Sequence, residues 1–233
     1  MLDIHSHILP KTDDGSKSVE MSLEMLRASK EQGVTMMVST SHFYAHHESP
    51  GQFLRRRRHA AERLKSALTG SEPQLFFGAE VLYFPGIAQS EAVRELAIEG
   101  TDLILIEMPF DAWSEKIFEE LVTFQYSSGL QIILAHVERY RDIQSRSIYE
   151  KLFEQPFYFQ CNAEAFSGFF TRRLALRLMD RGQLHFLGTD CHNTTTRPPN
   201  MDVAKNAVEK KLSPAAWKEL TEEAEARFNR HRL

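Results

Sequence analysis

Short apolar runs alternate with amphipathic stretches along the whole chain. The first run, Leu2 and Ile4 alternating with Asp3 and His5, reads as a strand over residues 1–6. Spacing of apolar positions then predicts a helix over Val19–Gln32, stopped by Gly33. Further strands are expected at Val34–Ser39, Gln74–Gly78, Leu103–Ile106, Gln131–Ala135, Phe157–Gln160 and Leu184–Gly188. Helical stretches fall between them, at Gln52–Leu68, Glu91–Ile98, Ser147–Phe153 and Leu174–Asp180. Another runs to Ser127 with Ser114 as its cap. Two more, Val203–Lys210 and Pro214–Arg227, close the chain. Leu103–Ile106 is apolar at every position, as a strand buried on both faces should be. Seven strand–helix units with no Pro-, Gly- or Ser-rich linker predict one α/β domain over residues 1–233, parallel strands inside and helices outside. The alternation allows an open doubly wound sheet or a closed barrel. No Gly-rich phosphate-binding turn follows the first strand, which argues against a nucleotide-binding sheet.

Composition narrows the class. At 233 residues the chain can bury a full core without staples. A net charge of −4 argues against a nucleic-acid partner. Cys161 and Cys191 are the only cysteines, too few for a disulfide framework, which suits a reducing compartment. Asp3 and His5 interrupt any apolar leader, and no apolar stretch approaches membrane-spanning length. A cytoplasmic protein without membrane insertion is expected. What stands out is the number of histidines, ten, and where they fall.

His5 and His7 stand two apart at the end of the first strand, so in extended backbone both rings project to one side. Neutral imidazole is a common ligand for first-row metals. Asp13 and Asp14 follow, before Gly15, where the chain turns. Similar residues recur at the other strand ends. His42 follows the second strand and Glu80 the third, while Glu107 and His136 end the fourth and fifth. Asn162 follows the sixth, and Asp190 and His192 end the seventh. In a parallel barrel these ends converge on one face, where active sites lie. Polar residues ending strands at water would explain any one of these positions but not the set. His5, His7, Asp14, His42, Glu80, Glu107, His136, Asp190 and His192 are nine ligand-type residues, too many for one ion. They predict a polynuclear metal site. Imidazoles with bridging carboxylates suit Mn, Fe, Zn or Ni rather than Mg or Ca alone.

Asp-Ile-His-Ser-His-Ile-Leu-Pro at 3–10, Asp-Asp-Gly at 13–15, His-x-Glu-Arg at 136–139 and Thr-Asp-Cys-His at 189–192 resemble the PHP (polymerase and histidinol phosphatase) superfamily. Within it, the chain is most similar to the bacterial tyrosine-protein phosphatases encoded with capsule and exopolysaccharide genes, over essentially its whole length. The resemblance implies a distorted (β/α)7 barrel with three divalent metal ions, commonly Mn, with Fe or Zn as other choices. It implies that His5, His7, Glu80 and Asp190 hold one ion, that Glu80, Glu107 and His136 hold a second, with Glu80 bridging, and that Asp14, His42 and His192 hold the third. Arg139 and Arg197 would face the phosphate. The implied substrate is phosphotyrosine in the tail of a bacterial tyrosine kinase that controls polysaccharide export, with phosphate as product. The family usually has Pro where Ser41 and Val137 stand and Gly near Lys11, departures that touch loop shape rather than ligands.

Other signals compete. Cys191 and Arg197 match the Cys-x5-Arg spacing of cysteine-dependent phosphatases. The intervening residues contain no Gly, and Pro198 and Pro199 make poor helix continuation, so that mechanism is not expected. Arg55–Arg58 span more than one helical turn, so at least one must lie beside the buried face; the rest form a solvated face or a docking patch. Phe110, Trp113, Phe166, Phe169 and Phe170 follow the fourth and sixth strands, where one or two could grip a tyrosine ring. Alternatives to a protein phosphatase are a small-molecule phosphatase of the histidinol-phosphate type, an amidohydrolase-type hydrolase and a non-enzymatic regulator. Glu107 stands where the amidohydrolase type needs a Lys or equivalent bridge, and a regulator should lack ligands, yet none is missing.

Overall fold

The computed structural model describes residues 1–233. Its strands are β1 (Leu2–Ser6), β2 (Met36–Ser39), β3 (His42–Phe43), β4 (Gln74–Phe77), β5 (Glu80–Leu82), β6 (Leu103–Glu107), β7 (Gln131–Leu134), β8 (Tyr158–Asn162) and β9 (Phe186–Gly188). Its helices are α1 (Val19–Glu31), α2 (Pro50–Lys65), α3 (Glu115–Ser127), α4 (Arg146–Leu152), α5 (Phe169–Asp180), α6 (Met201–Lys211) and α7 (Pro214–Arg230). Serine side chains open five of them, at Ser18, Ser49, Ser114, Ser145 and Ser213, each satisfying an otherwise orphaned backbone N–H.

Every strand pairing is parallel. One sheet has the order β1-β2-β4 and the other β3-β5-β6-β7-β8-β9. The two are continuous where the chain steps from β2 to β3 and from β4 to β5. There the Gly78 N–H donates to Ser39 O at 2.8 Å and the Glu80 N–H to Thr40 O at 3.0 Å. The segment after β9 returns to β1, with the Asp190 N–H on His5 O at 2.8 Å and the His7 N–H on Cys191 O at 2.9 Å.

Two apolar clusters follow from this layering. The larger lies between strands and surrounding helices. The smaller joins Leu2, Ile4, Val38, Leu103, Leu105, Ile133 and Phe186 of the strands to Ala224 and Phe228 of α7. Fully burying one such large side chain stabilises the fold by about 1.5–3 kcal/mol. Helix α7 thereby closes the N-terminal end of the strands. Phe228 meets Phe76 edge-on at 4.9 Å. Past the helix end, His231 Nδ1 lies 2.6 Å from Asp102 Oδ1.

The elements fall where the periodicity puts them, with three differences. Glu91–Leu96 is a 3-10 helix rather than an α-helix. Val93 and Leu96 are its buried residues, and a spacing of three stacks them on one face of a three-residue turn. Helix α5 begins at Phe169 rather than Leu174. Phe169 and Phe170 point outward, so they carry no amphipathic signal. The short strands β3 and β5 were not expected, and they place His42 and Glu80 at strand starts rather than after strands. Of the Arg55–Arg58 run, Arg57 is the buried member, held by Glu99 at 2.8 Å, while Arg56 pairs with Glu48. No helix is long and apolar enough to cross a membrane.

Candidate metal centre

The C-terminal ends of the strands meet at a cleft of about 500 Å³. Eight of the nine ligand-type residues lie at its wall or in the buried cluster beneath it, and Asp14, which is exposed, reaches the cluster from the surface. Their donor atoms form three overlapping groups, each within 4.8 Å: His5, His7, Glu80 and Asp190; His7, Asp14, His42 and His192; His42, Glu80 and Glu107. His136 joins the last group, with Nε2 3.0 Å from Glu80 Oε1 and 3.4 Å from Glu107 Oε1. Glu80 is the hub. Its Oε2 lies 3.1 Å from His5 Nε2, 3.2 Å from His7 Nε2 and 3.1 Å from His42 Nδ1, while Oε1 faces His136.

Irregular backbone brings these side chains together. Asp3 pairs with Met37 but Ser6 with Ser39, so β1 carries one extra residue between them. Such a bulge lets neighbouring residues face the same side. Ile4 therefore joins the inner apolar cluster while His5, next in sequence, reaches the site. His136 (φ +32°) and Asp190 (φ +52°) adopt left-handed backbone conformations, uncommon for residues with a Cβ and frequent at functional sites. Two glycines permit the close packing. A Cβ on Gly188 would lie 2.5 Å from His5 Cβ, and one on Gly15 would collide with the His7 carbonyl oxygen. Lys11, near the family's Gly, is also left-handed at φ +58°.

A second layer aims the imidazoles. The His7 Nδ1–H donates to Asp13 Oδ2 at 2.8 Å, and the His5 Nδ1–H to Gln160 Oε1 at 3.1 Å. The His192 Nδ1–H donates to the Asp190 carbonyl at 2.9 Å. Each bond turns Nε2 toward the cluster, the ring orientation a metal ligand needs. Gln160 Oε1 also accepts the His136 N–H at 2.8 Å, and its Nε2 donates to Asn162 Oδ1 at 2.8 Å. The Asn162 Nδ2 donates in turn to Asp190 Oδ2 at 2.9 Å.

The electrostatics are those of a concentrated charge cluster. Burial opposes charge on Glu80 and Asp190, but the surrounding imidazoles outweigh it and hold both carboxyls well below the usual range. Burial likewise opposes charge on His7 and His136. Asp13 outweighs it for His7, which stays well above the usual imidazole value; Glu107 and Glu80 raise His136 to about 9. His192 is lowered to about 4 by burial and by positive charge on His7. The donor set fits divalent cations. Glu80 Oε2, His42 Nδ1 and His192 Nε2 are buried without a hydrogen-bond partner, although Glu80 Oε2 sits 3.1–3.2 Å from three ring nitrogens. Lone pairs facing one another at that distance are what an intervening cation satisfies.

Arg139 and Arg197 stand at the rim, 37% and 38% exposed, and each places Nη2 on Asp190 Oδ2, at 3.0 and 2.7 Å. Of the aromatic residues, Phe110 lines the cleft, 46% exposed and stacked on His136 at 5.6 Å. Trp113 and Phe166 are buried, and Phe169 and Phe170 are exposed at the start of α5 outside the cleft lining. Cys191 is fully buried, and burial with the nearby Asp3 charge pushes its thiol up to about 12. The N–H groups of Thr195, Thr196 and Arg197 all donate to Asn193 Oδ1, at 2.9, 2.7 and 3.1 Å, so they are not free to cradle a phosphate at Cys191. The residue types alone did not single out Gln160 or Tyr44, and they named Asp13 and Asn162 without the supporting roles that the hydrogen bonds give them. A polar pair two apart at the end of apolar β8 was the available signal for Gln160 and Asn162. Tyr44, two beyond His42, lines the cleft and stacks on His42 at 5.3 Å.

Fold and site together define a parallel α/β protein with clustered candidate metal ligands at its strand ends. Over residues 1–228 the chain matches the family described as capsular polysaccharide synthesis, CpsB/CapC, and it belongs to that family. It is 32% identical to tyrosine-protein phosphatase YwqE of Bacillus subtilis (strain 168), covering 97% of this chain and 90% of the relative. It is 29% identical to tyrosine-protein phosphatase CpsB of Streptococcus pneumoniae, covering 94% of each. A solved structure from work on YwqE of Bacillus subtilis and CpsB of Streptococcus pneumoniae, described as unique metal-dependent tyrosine phosphatases, superposes with a TM-score of 0.81. It shares 29% identity and covers 97% of this chain and 93% of that one.

Proposed function

We propose that the chain is a metal-dependent protein-tyrosine phosphatase acting in capsular or exopolysaccharide synthesis, with the tail of a bacterial tyrosine kinase as its substrate. One observation carries the reading: nine ligand-type side chains meet in and around a cleft rimmed by two arginines. On this reading residues 1–233 form a single domain, a distorted (β/α)7 barrel in the cytoplasm. Counting β2 with β3 and β4 with β5, seven strand positions support it, together with the hydrogen bonds between β1 and the segment after β9.

Three divalent ions, manganese first and iron or zinc as alternatives, suit the three donor groups. His5, His7, Glu80 and Asp190 would hold one; Glu80, Glu107 and His136 would hold the second; Asp14, His42 and His192 would hold the third. When bound, such ions acidify water and neutralise developing charge at phosphorus. The chain's own residues do the rest. Arg139 and Arg197, now on Asp190, grip the equatorial phosphate oxygens in pairs. Asn162 keeps a hydrogen bond to Asp190 when the arginines turn to substrate. Phe110 and Tyr44, on the walls of the cleft, flank an aryl ring. A tyrosine phenol has a pKa of about 10, so its departure needs little help from a general acid.

The test is chelation and reconstitution with a phosphotyrosine peptide. Chelation should abolish turnover, added Mn should restore it, and Cys191→Ser should keep most of it. A Cys191→Ser protein that binds metal yet turns over nothing would remove the metal-dependent reading. Preference for histidinol phosphate over the peptide would favour the small-molecule alternative.

A further inference from the structure

Outside the cleft, α4 and α5 enclose a pocket of about 290 Å³ that the chemistry above does not use. Arg141, Arg146, Arg177 and Arg181 ring it, with Tyr149 and Phe153 on its apolar wall. Its one carboxylate is Glu150, which already accepts from Arg146 Nε at 2.9 Å. Arg141, Arg177 and Arg181 have no carboxylate partner. Arg141 lies over the Tyr149 ring, and Arg177 Nε reaches only the backbone oxygen of Arg173. On a chain of net charge −4 this is a local reversal of sign.

Helix α5 reinforces the reversal. Arg173, Arg177 and Arg181 recur every four residues at its exposed side, and like charges at that spacing oppose one another on a helix. Arg141, without a carboxylate partner, adds to the repulsion from across the pocket. Concentrated positive charge beside an apolar wall is complementary to an anion, and guanidinium forks fit phosphate oxygens in pairs. The pocket's position says which anion. Arg141 follows Arg139, a cleft residue, by two positions, so their Cα atoms are at most about 7 Å apart. The hollow that shares Arg139 with the cleft also carries Glu138 and Glu164, acceptors that suit the backbone N–H groups of a passing polypeptide.

We propose that this pocket binds a second phosphoryl group on the same polypeptide whose phosphotyrosine occupies the cleft, an inference that rests on the phosphatase reading. The pocket then makes multiply phosphorylated chains better substrates than singly phosphorylated ones.

Three substrates test it: p-nitrophenyl phosphate, and one peptide carrying either one or two phosphotyrosines. The double variant Arg177→Ala/Arg181→Ala changes only exposed side chains. It should leave kcat/KM on p-nitrophenyl phosphate within about twofold. It should raise KM for the doubly phosphorylated peptide about tenfold, the loss of one good charge-assisted contact, and erase the advantage over the singly phosphorylated one. Arg55→Ala/Arg58→Ala, an equal charge change on α2, should preserve that advantage. Binding of the doubly modified peptide as its non-hydrolysable phosphonate, followed by fluorescence anisotropy, gives a readout independent of turnover and should weaken by the same factor. An unchanged advantage in the α5 variant, or equal loss in the α2 variant, overturns the pocket alone. A parent that binds the phosphonate but hydrolyses none of the three substrates overturns the phosphatase reading instead.

Discussion

The two ends of the strand bundle are made from the same strands and meet opposite demands. At the N-terminal end, Leu2, Val38, Leu103 and Phe186 share one apolar cluster with Phe228 of α7, and burial alone stabilises it. At the C-terminal end, imidazoles and carboxylates of the same strands are buried together, where each unpaired charge costs several kcal/mol. Strand β6 shows the switch within five residues, with Leu103 and Leu105 in the plug and Glu107 two further along in the site. The plug is a place of fixed packing; the mouth is a place where packing was given up for charge. The plug supplies burial energy that the charged cluster does not, and the cluster supplies the chemistry that the plug does not.

The contrast is lost most easily at the plug. Phe228→Ala should destabilise the fold by about 3–5 kcal/mol. For a chain of this size that lowers the thermal midpoint by roughly 6–20 °C. At low temperature the variant should keep its metal and its kcat/KM. Calorimetry beside elemental analysis separates the two ends; metal loss in the cold folded protein would mean that they are not independent.

At the mouth the largest effect is expected at Glu80, which faces both the His5–His7–His42 side and His136. Glu80→Ala should lower turnover by more than about 100-fold, beyond the cost of removing a group that merely supports a ligand. It should also lose more metal than His42→Ala. Equal or smaller metal loss, read by elemental analysis, would contradict the hub role.

Arg139 sharpens the distinction between holding metal and holding substrate. Arg139→Ala should retain its ions and its thermal midpoint while losing about 100-fold in kcat/KM on a phosphotyrosine peptide. Arg139→Lys should recover only part, since an ammonium cannot reproduce the bidentate fork. Turnover within a few-fold of the parent would leave Arg139 as a rim residue paired with Asp190.

The smallest effect lies one layer back. Gln160→Leu removes the acceptor behind His5 and the link to Asn162. Metal affinity, measured by competition with a chelator, should weaken about tenfold, with Gln160→Glu losing less because it keeps the acceptor. Parent-like affinity in Gln160→Leu would show that the His5 ring is oriented by packing alone.

The sequence by itself determined the alternation of strands and helices, since periods of 2 and 3.6 are local properties. It also named the nine ligand-type residues that the fold brings together, because strand ends in a parallel fold converge whatever the details of their packing. It could not determine which neighbour faces inward. Ile4 and His5 look like opposite faces of β1, and only the bulge, set by pairing with β2, puts both inside. The left-handed turns at His136 and Asp190 carry no local signature either, because neither residue favours that conformation as Gly does. Asp13 and Asp14 are chemically identical neighbours. Tertiary contacts alone set Asp13 behind His7 and leave Asp14 facing His42 and His192. Hydrogen bonds and pairings that join residues far apart in sequence made these choices, and no spacing along the chain records them.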